Sequence, residues 1–171
     1  MKLLPVITLC AVTAAFTLIQ PRSVCAQDPA ASGSPSAQLN FGDFSSSTLT
    51  TKAWQALDGK RYEEVAGYTG KCIEMFKAKA VEMQKALTAP PATDDKAKVF
   101  ANWALNDVGT CYFILGKSLE AQGKPKDAVE AYKFVSENLQ YAKCYDTKGW
   151  FWSPADSAKE RVKALEFDSL K

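Results

Sequence analysis

The chain has 171 residues, 47% of them hydrophobic and 23% charged, which suits one modest domain with a real core and makes a second domain unexpected. With 21 basic against 19 acidic side chains and no long basic run, it offers no electrostatic case for a nucleic-acid partner. Histidine is absent, which removes the usual general base near neutral pH and the commonest nitrogen ligand for zinc.

The first segment reads as a secretory signal peptide over residues 1–26. Lys2 gives a positive start, Leu3 to Ile19 is almost wholly apolar, and the exit Pro21-Arg22-Ser23-Val24-Cys25-Ala26 ends in a V-x-A pattern before Gln27. The alternative, an uncleaved anchor, barely reaches spanning length. Cleavage removes Lys2 and Arg22, leaves 19 basic against 19 acidic side chains, and leaves no stable membrane anchor. Residues 27–45, rich in Pro, Ala, Ser and Gly, read as a flexible leader that Phe41 and Phe44 pin at its end.

Helical spacing then takes over. Ser45-Ser46-Ser47-Thr48 offers N-cap oxygens to a short helix with Leu49, Ala53, Ala56 and Leu57 inward, stopped by Asp58-Gly59. From Tyr62, the residues Val65, Thr69, Cys72, Phe76, Ala80, Met83 and Leu87 draw one apolar stripe down a helix of about seven turns, ended by Pro90 and Pro91. Thr93 is the expected cap of the next helix, with Asp94 and Asp95 in its first turn. Ala97, Ala101, Ala104, Val108, Cys111, Leu115 and Leu119 then predict a single unbroken helix up to Gly123, antiparallel to the one before. Pro125 opens a helix with Ala128, Ala131, Tyr132, Val135 and Leu139 inward. Ser153 and Pro154 open the last, which buries Ala155, Ala158, Val162 and Leu165. No segment alternates with period two for long enough to argue a strand.

The run CYFILGKSLEAQGKPKDAVEAYKFV places Tyr112, Leu115, Gly116, Leu119, Gly123, Ala128 and Tyr132 at spacings that resemble the tetratricopeptide repeat over one unit, about 109–142. Large residues fill the groove between two helices, Gly116 and Ala128 let them approach, and Gly123 permits the turn. KAWQALDGKRYEEVAGYTGKCIEMF, about 47–80, resembles a degraded copy without the Leu-Gly pair. The expected fold is therefore all-α: antiparallel helical hairpins of a short tetratricopeptide-like solenoid over residues 46–171, with a C-terminal capping helix.

Trp150, Phe151 and Trp152 lie just before that cap. In extended backbone Trp150 and Trp152 share a side, so they act either as a plug, with Trp152 stapled on Ala155 or Ala158, or as a stacking platform for a sugar ring or peptide. Cys72 and Cys111 fall level in the antiparallel pair, with Gly70 and Gly109 nearby, which makes a disulfide between them a hypothesis against two buried thiols. Cys144 would be left over.

No CxxC pair, phosphate loop, GxSxG elbow or metal-ligand spacing is present, so neither catalysis nor a cofactor or metal is expected. The expected role is that of an exported bacterial module, secreted or periplasmic, binding a protein or peptide. The resemblance implies a groove formed by the first helix of each repeat. Asn102, Trp103, Asn106, Asp107 and Phe113, which fall off the apolar stripe, are the candidates for it, with Trp150 and Trp152. A carbohydrate-binding accessory protein using the exposed tryptophans is the alternative, and a small hydrolase is a remote one.

Overall fold

The computed structural model describes residues 39–170, so the signal-peptide reading and most of the leader lie outside the described residues. Six helices and one small hairpin follow in order: α1 (Ser46–Asp58), α2 (Tyr62–Ala86), α3 (Lys96–Ala101), α4 (Trp103–Ala121), α5 (Pro125–Asn138), β1 (Cys144–Tyr145), β2 (Phe151–Trp152) and α6 (Pro154–Asp168). The chain is all-helical in character.

Local chemistry sets most boundaries. Ser45 caps α1 by accepting from the Thr48 amide, and Ser153 caps α6 by accepting from Asp156, with Pro154 at the first helical position. Gly123, at φ +70°, turns α4 into α5. Ahead of α1, Leu39 and Phe41 pack on the core; the Phe41 ring meets Tyr68 edge-on at 5.9 Å, while Phe44 is exposed. The stripe of α2 is buried at Val65, Thr69, Cys72 and Ala80, with Phe76, Met83 and Leu87 packed partly against the core.

α4 is the central element. It packs on α1, α2, α5 and α6, and the chain otherwise contacts in succession, α1 on α2 and α5 on α6. α1 and α4 run in the same direction: Ser46 bonds Asp107, and four residues on Thr50 meets Cys111 at 3.3 Å, both pairs 61 residues apart in the chain. Gly116 faces the ring of Tyr132, whose carbons would stand 2.5–2.7 Å from any Cβ placed there. Only glycine admits that ring. Ala128 and Tyr132 are fully buried, Leu115 and Leu119 pack partly against the core, and Tyr112 stacks on Phe134 at 4.2 Å.

Four expectations are corrected. The single helix predicted from Ala97 to Leu119 is two, broken at Asn102 (φ −92°, ψ 37°). Side-chain amides take the carbonyls of the broken turn: Asn102 Nδ2 donates to Lys98 O at 2.9 Å and Asn106 Nδ2 to Val99 O at 2.8 Å. The break rotates α3, so Ala97 and Ala101 are exposed and Val99 is buried instead. The cap of α3 is Asp95, accepting from the Lys98 amide at 3.1 Å, rather than Thr93. The aromatic run forms a short antiparallel pair, Cys144 opposite Trp152 and Tyr145 opposite Phe151, closed through Gly149 at φ +105°. Finally, Cys72 and Cys111 are both buried free thiols. Gly109 does not bring α2 near: it seats Ala142 and Val135, while Gly70 faces open space.

Candidate functional site

Apolar positions at helical spacing commit one face of α1 and α4 to the core, and a second face of each is left over. On α1 that face reads Ser47, Thr51, Trp54 and Asp58; on α4 it reads Trp103 and Asp107 and continues into Thr110 and Phe113, both buried where the groove meets the core. Because the two helices lie parallel, these faces form the floor of a groove of about 1050 Å³. Phe100 of α3 and the hairpin residues Cys144, Tyr145, Asp146, Trp150 and Trp152 wall it.

The rings are placed by one another. Trp152 meets Phe113 at 5.1 Å and Trp54 at 6.5 Å, and Trp54 also meets Phe113 at 6.5 Å, so three elements are joined at one end of the groove. Phe151 turns to the other side of the hairpin and packs on Tyr145 and Phe100 at 5.0 and 5.6 Å. Trp103 stands edge-on to Phe76 of α2 at 5.6 Å. Of the eight most exposed large apolar side chains among the described residues, four line this one groove: Phe100 (51%), Trp103 (43%), Tyr145 (39%) and Trp150 (50%). Such concentration of exposed aromatic surface makes this groove the candidate binding site.

The sequence candidates divide accordingly. Trp103, Asp107, Phe113, Trp150 and Trp152 come together in the groove, and Asn106 lines it with its amide already committed. Asn106 donates to Val99 O and accepts from the Lys143 amide at 2.9 Å, which holds the approach to the hairpin against the α3–α4 break. Its role is to position the walls. Asn102 does not line the groove; it serves the broken turn. The two tryptophans of the run differ: Trp152 packs against the core, while Trp150 remains half exposed. Trp54, Phe100 and Tyr145 are lining residues that the sequence reading missed. Only Trp54 carried a usable signal, the polar-aromatic stripe Ser47-Thr51-Trp54-Asp58 opposite the core face of α1.

The polar groups are few. Burial raises the Asp107 carboxyl above its usual value, a rise that the Ser46 hydroxyl only partly offsets. Burial likewise pushes the Cys144 thiol up, more than the Thr110 hydroxyl lowers it, and burial and then Cys72 push the Cys111 thiol up. Neither of these raised thiols is set up as a nucleophile. No group of His, Cys, Asp or Glu among the described residues could hold a metal ion, and no described helix is long and apolar enough to cross a membrane. No protein-family model, curated protein or solved structure matches this chain.

Proposed function

We propose that this protein is an exported helical-repeat module of the tetratricopeptide type, which binds an extended segment of a partner protein in the groove between α1, α4 and the hairpin, and which performs no chemistry of its own. The observation that carries the reading is the gathering of Phe100, Trp103, Tyr145 and Trp150, half the most exposed large apolar side chains among the described residues, along one groove. The parallel course of α1 and α4, the Gly116–Tyr132 contact and the chain order of the helical packing support the repeat reading. The apolar run of residues 3–19 supports export.

A second reading has its own observation: Trp150 presents a half-exposed ring of the kind on which a sugar stacks, with Lys148 5.9 Å from its centre. Peptides selected by display against the full chain, and an oligosaccharide array, separate the two. Selected peptides should quench tryptophan fluorescence, and Trp103→Ala and Trp150→Ala should each weaken them about tenfold or more with the helical circular dichroism intact. Peptide binding undiminished by both changes would show that the groove is not the site. Binding confined to oligosaccharides, and lost with Trp150, would decide for the carbohydrate reading.

A further inference from the structure

The groove holds a carboxylate that the fold leaves half satisfied. Six acidic side chains at helix surfaces meet cations: Glu64 with Arg61, Glu74 with Lys71, Glu82 with Lys79, Asp95 with Lys98, Asp156 with Lys159 and Glu166 with Lys133. Asp107 is more withdrawn from water than these, yet its single hydrogen-bond partner is the Ser46 hydroxyl on Oδ2, and no ion pair involves it. No buried side-chain oxygen or nitrogen among the described residues lacks a partner, so the free oxygen of Asp107 is not buried; it opens to the groove that the residue lines. A carboxylate withdrawn from water without a cation is unfavourable, and a ligand's positive group would relieve it.

The rings around it give the cation a direction. Trp103 stands one helical turn before Asp107 on the same face of α4, and a tryptophan face is the best aromatic surface for an ammonium or guanidinium group. Three groove rings already carry the protein's own lysines: Lys96 over Tyr145 at 5.1 Å, Lys117 over Phe113 and Lys148 over Trp150, each at 5.9 Å. Trp54, Trp103 and Trp152 carry none. Lys96 and Lys148, over the hairpin rings Tyr145 and Trp150, disfavour a second positive charge there, which favours Asp107 and Trp103 as its place. Lys143 is the one basic residue in the lining, and no ion pair joins it to Asp107.

We infer that the groove selects a segment with a basic side chain, arginine or lysine, which pairs with Asp107 beside Trp103 while apolar side chains of the same segment rest on Trp54, Phe113 and Trp152. The inference rests on the peptide-binding reading above and names the chemistry of its ligand.

The test uses fluorescein-labelled peptides of one selected sequence, identical except for arginine, lysine, citrulline or glutamate at the basic position, titrated against the full chain. Arginine and lysine should bind about tenfold more tightly than citrulline at low salt, with the margin narrowing as salt rises. Asp107→Asn keeps a partner for Ser46 and should reduce the margin to less than about twofold, with arginine and lysine binding falling more than citrulline binding. Equal binding of arginine and citrulline peptides by the unaltered protein overturns the inference and leaves peptide binding standing. An undiminished preference in Asp107→Asn overturns it too. Failure of every selected peptide to bind removes both readings.

Discussion

Two carboxylates on α4 have opposite fates. Glu120 accepts from Arg161 Nε at 3.0 Å and from Arg161 Nη2, and it also accepts from the buried Tyr132 hydroxyl, so one acid ties α4, α5 and α6 together. Asp107, at the other end of the same helix, has a hydroxyl on one oxygen and the groove on the other. Partial burial raises the Glu120 carboxyl, but Arg161 and Tyr132 outweigh it and hold it below its usual value; Asp107, without a cation, is raised. Where the fold completes the hydrogen bonding it closes the structure, and where it withholds a partner it leaves a place for one.

The largest expected effect comes from breaking the closed side. Gly116→Val drives a side chain into the Tyr132 ring, and overpacking of this kind costs about 3 kcal/mol. A thermal melt within error of the unaltered protein would mean that α4 and α5 do not meet there. Glu120→Ala strands Arg161 and Tyr132 and should cost about 1–3 kcal/mol by denaturant titration.

Acid sharpens the contrast through its sign. The Glu120 carboxyl is lowered in the fold, so its contribution is present above the ordinary glutamate value and is lost as pH falls through the folded one. A Glu120→Gln variant should therefore show a flatter stability curve below pH ~4.5. Asp107 runs the other way. Its carboxyl is raised in the fold, so its favourable contribution is fully present below the ordinary aspartate value and is lost as pH rises through the folded one. Asp107→Asn should then stabilise the protein at neutral pH by roughly 0.5–1 kcal/mol, seen as a higher urea midpoint, even as it removes the preference for basic ligands. A destabilised Asp107→Asn would show that the acid serves the fold. The smallest effect belongs to Trp150→Ala, which should change stability by less than about 0.5 kcal/mol because the ring covers little of the core.

The legible parts of the structure were those that neighbours in sequence decide. Ser45, Ser153 with Pro154, Pro125 and Gly123 act within a turn of themselves, so the bounds of α1, α5 and α6 and the turn between α4 and α5 could be read directly. The break at Asn102 could not. Asparagine in a helical run is ambiguous until its amide finds a carbonyl, and Asn106 finds one only in concert with Lys143, 37 residues further on. The same distance in sequence hid half the groove. Trp103 and Asp107 declared themselves by standing off the predicted stripe, Phe113 stood off it too yet is buried in the core, and Phe100 and Tyr145 become wall residues only once the break and the hairpin have formed.

That one amide has a mechanical meaning. By gripping Val99 on one side and the chain leading into the hairpin on the other, Asn106 makes the two walls of the groove a single hinged piece carried by one residue. Severing that grip should slacken the mouth while the helices behind it stay rigid, so amide exchange in Asn106→Leu would quicken around residues 99 and 143–152 well before it quickened in α4.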